Sequence, residues 1–243
     1  MKITLFITAS IFLSACISSK TSSIPQQTNS LSAKQKSDGW VLLFNGTSTA
    51  GWHTFGGKPI DNKWSVQNSE LFLNAKGNAN AHGGSDIVTD EEFENFHLKL
   101  DWKIAVGGNS GIMFFVKEDK KYIASWQTGP EIQILDNAGH AEGKIKTHRA
   151  GDLFDLLSIS KDIINPANQW NTFEIVANKG NLTLYANGQN VLQTTLWSNE
   201  WKTLVATSKF KDMPDFSIYK KGKIALQDHG DDIWFRNIMI KKL

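Results

Sequence analysis

The chain has 243 residues, of which 40% are hydrophobic and 21% are charged, so it can bury one large core. That size fits a single all-β domain of roughly 200–250 residues. The formal net charge is +2 and no basic block occurs, which argues against nucleic acid as a partner. The one cysteine, Cys16, excludes an intramolecular disulfide.

The first fifteen residues have the pattern of a secretion signal. Lys2 supplies a positive charge, and residues 3–13 form an apolar run that is too short to span a bilayer. The run ends in Leu13-Ser14-Ala15-Cys16, which resembles a bacterial lipobox, in which the peptide is cut before the cysteine and the thiol is acylated. An ordinary secretion signal with an incidental cysteine is the alternative.

These features predict a lipoprotein signal peptide over residues 1–15 and a lipid anchor at Cys16, with the membrane as a partner through that anchor. The expected location is the bacterial cell envelope, at the periplasm, the outer membrane or the cell surface. Residues 16–37 are rich in Ser, Gln and Lys and offer little to bury. We expect them to be a flexible tether that leads to one folded domain, residues 38–243.

Short apolar runs separated by turn residues predict β-strands in the first half of the domain. The clearest is residues 96–106, where polar and apolar side chains alternate with a period of two. After the turn GGNSG (107–111), residues 112–116 are apolar on both faces, which predicts a central strand covered on each side. Residues 131–135 form the next predicted strand, with Ile132 and Ile134 on its buried face.

The second half continues the same pattern and contains one helix. A meander is predicted over residues 170–177, 181–186 and 191–194, because Asn- and Gly-rich turns separate these runs. Ser198 can cap a short helix over residues 199–209. Two further strands close the chain. Many short strands without βαβ alternation predict an all-β sandwich or jelly roll of two antiparallel sheets.

Residues 129–155 combine a strand with the densest group of titratable side chains in the chain. Glu131 and Gln133 share the strand face opposite the two isoleucines, as in a sheet that faces a ligand. Asp136, His140, His148, Arg149, Asp152 and Asp155 lie in the loop that follows. Histidine exchanges protons near neutral pH and arginine binds oxyanions, so this loop predicts acid–base chemistry. A solvated sheet face and a loop held by Arg–Asp pairs are the alternatives.

Polar and aromatic residues elsewhere are candidates for binding a ligand. Gln227 and His229 lie at the exit of a predicted strand. Asn109 and Ser110 belong to the glycine-rich turn and can hydrogen-bond to sugar hydroxyls, and Trp126 can stack on a sugar ring. Turn formation and, for the tryptophan, core packing are the alternatives.

Nine segments, in order through the chain, resemble the 3-keto-disaccharide hydrolase family, also described as a 3-keto-glucoside 1,2-lyase/3-keto-2-hydroxy-glucal hydratase domain. They are WVLLFNG (40–46), GW (51–52), GGNSGI (107–112), GPEIQILDN (129–137), HRAGDLFDLL (148–157), WNTFEIV (170–176), NEWKTLVATSKF (199–210), GKIALQDHG (222–230) and FRNI (235–238). The match covers essentially the whole domain and is far more specific than any single motif. The resemblance implies a concanavalin A-like jelly roll and an enzyme that cleaves 3-keto-glycosides.

The chain departs from the family pattern at two places. Many relatives carry His-Pro-Asp where this chain has His140-Ala141-Glu142. Many also have tyrosine at the position of Phe154, so that one hydroxyl is missing here. These differences bear on the choice of substrate more than on the fold.

The resemblance implies that the substrate is a small sugar already oxidised at C3. A ketone there acidifies the C2 hydrogen, so a base can remove it, the aglycone leaves C1, and added water gives net hydrolysis. We expect Glu131 or His148 to be the base, Arg149 or a bound metal to stabilise the enolate, and Asp155 to orient its neighbours. The expected substrate-binding residues are Asn109, Ser110, Trp126, Gln133, Asp136, His140, Gln227 and His229.

No cofactor is identified from the sequence. The spacing of Asp136, His140 and His148 matches no zinc signature, and a divalent metal stays open.

Two other functions stay open as well. A membrane-tethered, lectin-like domain would need aromatic platforms and hydrogen bonders but no titratable cluster. A glycoside hydrolase on the same fold would need two carboxylates about 5–9.5 Å apart, and Glu131 has no carboxylate partner on its own strand, because position 133 is glutamine.

Overall fold

The computed structural model describes residue 1 and residues 27–74 and 85–243, and these ranges consist mainly of β-strands. The first strands are β1 (Trp40–Leu42), β2 (Trp52–Thr54), β3 (Trp64–Gln67), β4 (Glu70–Leu73), β5 (Ile87–Thr89), β6 (Phe96–Ile104), β7 (Asn109–Val116) and β8 (Glu131–Leu135). The later strands are β9 (Asn171–Asn178), β10 (Asn181–Ala186), β11 (Gln189–Thr195), β12 (Lys223–Leu226) and β13 (Ile233–Lys242). Two short α-helices accompany them, α1 (Ala33–Ser37) and α2 (Asn199–Ala206).

These strands form two antiparallel sheets. The larger sheet has the order β11-β10-β9-β6-β13-β4-β3, with β1 also paired to β13, and the smaller has the order β2-β5-β12-β7-β8. Phe96 of β6 packs edge-on against Phe114 of β7, with ring centroids 6.3 Å apart, so the apolar faces of the two sheets meet in one core. The predicted all-β sandwich is therefore confirmed.

The two strands with the clearest sequence patterns adopt the predicted environments. In β6 the apolar residues from Phe96 to Ile104 are buried, and the polar residues between them are only partly covered. β7 is buried at every position because Ile112 and Phe114 enter the core, whereas Phe55 and Trp126 pack against the cluster on the other face that contains Met113. Apolar side chains on alternate positions of each strand thus supply the core, as the period of two requires.

Some boundaries differ from the prediction. Asn109 and Ser110 begin β7 instead of belonging to a turn. The helix α2 begins after its predicted cap, Ser198, whose side chain accepts a hydrogen bond from the backbone N–H of Trp201. It ends at Ala206, not at residue 209, because Ser208 turns its hydroxyl back to the carbonyl of Val205 and breaks the helical pattern.

The predicted flexible tether extends too far toward the domain. Asn29 is buried, and its backbone N–H and side-chain oxygen exchange hydrogen bonds of 2.7 Å with the side-chain oxygen and backbone N–H of Asn237. Its side-chain nitrogen also donates to the carbonyl of Ser69. Residues 33–37 then form α1, whose N-terminus is capped by a capping box between Ser32 and Gln35. One asparagine thus satisfies backbone groups of β13 and of the turn between β3 and β4, which composition alone does not reveal.

The signal peptide and Cys16 lie outside the described residues, so the lipid anchor stays a prediction. Among the residues that the structure covers, no helix has both the length and the apolar character needed to cross a bilayer.

Candidate functional site

A cavity of about 520 Å³ opens on the face of the smaller sheet that points away from the core; we call it the main cavity. Its walls come from strands, from two loops and from the chain that follows α2. The lining residues are Asn109, Ile123, Ala124, Trp126, Glu131, Gln133, Glu142, Phe154, Lys209, Phe210, Met213, Gln227, Asp228 and His229. Six of the predicted site residues are among them, and they come together from β7, β8, the end of β12 and the loop before β8.

The floor of the main cavity is built by β7 and β8, which pair so that Met113 lies opposite Glu131 and Gly111 opposite Gln133. The side chain of Glu131 lies over Gly111. A Cβ atom at position 111 would come within 1.9 Å of Glu131 Oε1, so the glycine makes the space that the carboxyl group occupies. Because Ile132 and Ile134 alternate with these residues and enter the core, the strand fixes the direction of both polar side chains.

Among the described acids that line the main cavity, Glu131 has the pKa that is shifted furthest from its usual value. It is 7% exposed, and its carboxyl group has no hydrogen-bond partner among the described residues. Burial raises its pKa from 4.5 to about 8; Lys209 opposes this rise, whereas the negative charges of Asp86 and Glu142 add to it. A carboxyl group without a partner at the floor of a polar cavity can accept a proton from a bound molecule.

Lys209 is the only lysine or arginine among the residues that line the main cavity. Its side chain is exposed overall, but its Nζ lies 3.8 Å from the ring centroid of Phe154, which covers part of it. Its backbone N–H donates to Asp155 Oδ2 at 2.6 Å, which fixes the residue beside the loop. Partial burial lowers its pKa, and the acids Glu131, Asp155 and Glu142 oppose that fall. This ammonium group can therefore stabilise negative charge that develops on a bound sugar.

Behind the wall of the main cavity, His148 connects two carboxylates. Its Nε2 lies 3.1 Å from Asp155 Oδ1, and its Nδ1 lies 3.6 Å from Glu142 Oε2. Both Nδ1 and that oxygen are buried without a hydrogen bond among the described residues. Phe154 packs on the imidazole, with centroids 4.4 Å apart, and separates it from the cavity. His148 therefore reaches the cavity only through Glu142.

The backbone of the loop explains this placement. The residues around Leu153 run along the free edge of β8, where Phe154 N–H donates to the carbonyl of Glu131 and Gly151 N–H to that of Gln133. Covering the edge in this way satisfies its backbone groups. Asp155 then turns inward with a φ of 57° and donates its N–H to Thr147.

The remaining polar groups of the main cavity are suited to bind hydroxyls. Gln133 Nε2 donates to Asn109 Oδ1 at 3.1 Å, and Asn109 N–H donates to Asp231. Gln227 is 7% exposed and its Oε1 has no partner among the described residues. His229 and Trp126 complete this set. Such a ring of amide groups beside an indole matches the needs of a polyol ligand.

Three predicted substrate-binding residues do not line the main cavity and hydrogen-bond to nearby backbone groups. Asp136 accepts hydrogen bonds from the backbone N–H groups of Gly107 and Ala138. His140 caps a short 3-10 turn by accepting from the N–H of Glu142. Ser110 is fully buried and donates its hydroxyl to the carbonyl of Gln227. In each case a nearby backbone group uses the polar side chain that had been assigned to the substrate.

Arg149 is not placed to stabilise an enolate in the main cavity. Its side chain points to a second cavity, where Nη2 pairs with Asp162. The next residue, Ala150, is buried, and its backbone N–H donates to Asn137 Oδ1 at 2.8 Å.

Sequence reasoning missed Lys209 and Asp228, and it treated Glu142 and Phe154 only as departures from the family. Lys209 was placed in the predicted helix, where a lysine is ordinary. Its only signal was the continuous match over residues 199–210. Among the residues that the structure describes, no group of three His, Cys, Asp or Glu residues is arranged to hold a metal ion.

Two comparisons with known proteins match most of the chain. The model of the 3-keto-alpha-glucoside-1,2-lyase-like domain matches residues 39–241. A Bacteroides thetaiotaomicron protein named 3-keto-disaccharide hydrolase is 32% identical over 242 residues, which cover 88% of this chain and 82% of that protein.

Solved structures support the same conclusion. A "putative glycosyl hydrolase" from Parabacteroides distasonis superposes with a TM-score of 0.82 at 31% identity, covering 89% of this chain and 100% of that one. The carbohydrate-binding module CBM66 from Bacillus subtilis shares the fold alone, with a TM-score of 0.50 at 13% identity over 79% of this chain and 96% of that one. The family model and the curated relative each span most of the chain, and the chain therefore belongs to the 3-keto-alpha-glucoside-1,2-lyase-like domain family.

Proposed function

We propose that this protein is a carbohydrate-active hydrolase that cleaves 3-keto-glycosides, and that the reaction begins with removal of the C2 proton. The observation that carries this proposal is Glu131, a buried carboxyl group at the floor of the main cavity that has no hydrogen-bond partner among the residues the structure describes. Its raised pKa makes its ionised form a stronger base than an exposed glutamate. The name of the curated relative supports the same substrate class.

The chemistry uses few groups. Glu131 takes the C2 proton, and the electron pair of that bond moves toward C3, so negative charge appears on the C3 oxygen. Lys209 lies at the mouth of the same cavity and supplies the positive charge that lowers the energy of this enolate. The electrons return as the bond from C1 to the aglycone breaks. Water then adds to the unsaturated sugar, and the sum of the two steps is hydrolysis.

Glu142 is suited to protonate the departing aglycone. Its carboxyl group lines the main cavity, and its Oε2 lies 3.6 Å from His148 Nδ1. The other ring nitrogen of His148, Nε2, lies 3.1 Å from Asp155 Oδ1, which fixes the imidazole beside Glu142. We assign the acid step to Glu142, with His148 as the residue that positions it.

A glycoside hydrolase that acts on ordinary glucosides is the second candidate. Glu131 lacks a carboxylate partner on its own strand, but Glu142 lines the same cavity and supplies one from the loop. Two facing carboxylates are the requirement of that reaction.

Parallel assays with a glucoside, its 3-keto form and purified protein separate the candidates. We expect turnover of the keto sugar alone, with kcat/KM rising as the pH increases toward about 8, because the base must lose its proton. Turnover of the plain glucoside at a similar rate would establish the second candidate instead. Binding without turnover of either sugar would leave a lectin-like domain.

We also propose that the mature protein is held at the cell envelope by acylation of Cys16. Metabolic labelling with a fatty acid should mark the wild-type chain and not a Cys16→Ala variant, which should leave the membrane fraction. Equal membrane association of both forms would reject the anchor.

A further inference from the structure

A second cavity of about 360 Å³ lies beside the main one; we call it the basic cavity. Its lining residues are Asn137, Gly143, Lys144, Lys146, Arg149, Asp152, Ser158, Ile159, Ser160, Lys161 and Asp162. The same stretch of chain serves both cavities, since Glu142 faces the main cavity whereas Gly143 and Lys144 line the basic one.

The charges of the basic cavity do not cancel. Four lining residues are cationic and two are acidic. Asp152 uses both carboxylate oxygens on the backbone, accepting the N–H groups of Arg149 at 2.9 Å and Ile159 at 2.8 Å. Asp162 is occupied by Arg149. Both acids thus have partners within the protein, and the four cationic residues outnumber them.

Three lysines of the basic cavity, Lys144, Lys146 and Lys161, form no ion pair with any described residue. By contrast, each of five other lysines pairs with an acid: Lys63, Lys99, Lys117, Lys121 and Lys242. Like charges lining one concavity repel each other, so an anion between them lowers the energy of all three.

Arg149 adds a hydrogen-bond donor of fixed direction to the positive charge of the three lysines. Its Nη2 holds Asp162, but its Nε is buried and donates to no described residue. A buried N–H group without an acceptor is unusual in a folded protein, and a ligand atom is one way to satisfy it. Arginine also binds carboxylates and tetrahedral oxyanions in fixed geometry, which lysine does not.

We propose that the basic cavity binds a small oxyanion, either an inorganic ion such as sulfate or the carboxylate of a sugar acid. Lys144 and Lys146 supply the charge and Arg149 Nε–H supplies a directed hydrogen bond. The main cavity is less suited to the same ligand because one lysine, Lys209, shares its lining with three acids, Glu131, Glu142 and Asp228. This site is separate from the proposed sugar reaction and does not depend on it.

Calorimetric titration of the folded protein with sodium sulfate, and separately with sodium glucuronate, tests the proposal at constant ionic strength set with sodium chloride. We expect saturable binding of at least one anion. The double variant Lys144→Gln/Lys146→Gln should weaken it at least tenfold. The matched control Lys36→Gln/Lys120→Gln removes two lysines elsewhere on the surface and should leave the affinity unchanged.

Arg149→Lys keeps the charge and removes the Nε–H donor, so it separates a built site from a general positive field. A loss of severalfold in affinity supports the built site. Tighter binding of glucuronate identifies a sugar acid, and tighter binding of sulfate identifies an inorganic ion. The proposal is overturned if neither anion saturates, or if the double variant and its control bind equally. Thermal unfolding of each variant verifies that it is folded before titration.

Discussion

The main cavity and the basic cavity lie on two sides of one loop, yet they are assembled in different ways. The basic cavity is local, because all its lining residues fall within 137–162. The main cavity draws its residues from positions as far apart as Asn109 and His229. A dense run of charged residues in a sequence therefore indicates that a site is near, but it does not say which side chains share it.

The two cavities also differ in the charge of their lining residues. Carboxylates dominate the main cavity and cations dominate the basic one. His148 and Arg149 are neighbours in sequence, and one contacts Glu142 while the other pairs with Asp162. The acid–base capacity that residues 129–155 concentrate is thus divided between two places.

Replacing Glu131 should have the largest effect on the main cavity. We expect Glu131→Gln to lower kcat on a 3-keto-glucoside by about 10³-fold, which is within the range of a lost general base. Because the folded carboxyl keeps its proton up to a pKa of about 8 and the unfolded one loses it near 4.5, the stability of the wild type falls between these pH values. The variant lacks this loss, so it should melt at a higher temperature at pH 8 and not at pH 4.

The size of that stabilisation is bounded by about 1.4 kcal/mol for each unit of pKa shift, which allows at most a few kcal/mol. Glu91→Gln, on an exposed acid paired with Lys242, is the matched control and should change neither property. An active Glu131→Gln enzyme would show that the base lies elsewhere.

Replacing Lys209 tests whether the main cavity supplies its own positive charge. We expect Lys209→Met to lower kcat by about 10²-fold with a smaller change in KM, since the charge on the C3 oxygen exists only in the transition state. Lys209→Arg should recover part of the rate. Lys211→Met, two residues away and outside the lining, is the control. Equal loss in both methionine variants would contradict a specific role.

How far the sequence could predict these sites follows from individual residues. Glu131 and Gln133 were predictable because the period of two in β8 fixes their face. The placement of Asp136, His140 and Ser110 outside the lining could not be predicted, because their side chains hydrogen-bond to nearby backbone groups and such bonds depend on loop geometry. Lys209 was missed because its position depends on where α2 ends and on Asp155, which is far away in sequence.

Gly111 tests the floor of the main cavity. Gly111→Ala would place a Cβ within 1.9 Å of Glu131 Oε1, so the carboxyl group must move. We expect kcat to fall by about 10–100-fold, because small displacements of a reacting group are costly. Circular dichroism should show an intact fold. In the Gly111→Ala/Glu131→Gln double variant the glycine substitution should cause no further loss of rate; independent, multiplicative losses would reject the link.

Replacing His148 should have the smallest effect on catalysis. It should also show most clearly whether the main cavity and the basic cavity act independently. His148 reaches the substrate only through Glu142, so His148→Gln should lower kcat by roughly tenfold with little change in KM. Sulfate binding should stay at the wild-type affinity, because His148 does not line the basic cavity. His97→Gln, on a histidine paired with Glu174 on the larger sheet, is the control. If His148→Gln weakened sulfate binding as much as catalysis, the two cavities would act as one site, since both would then depend on the same loop conformation.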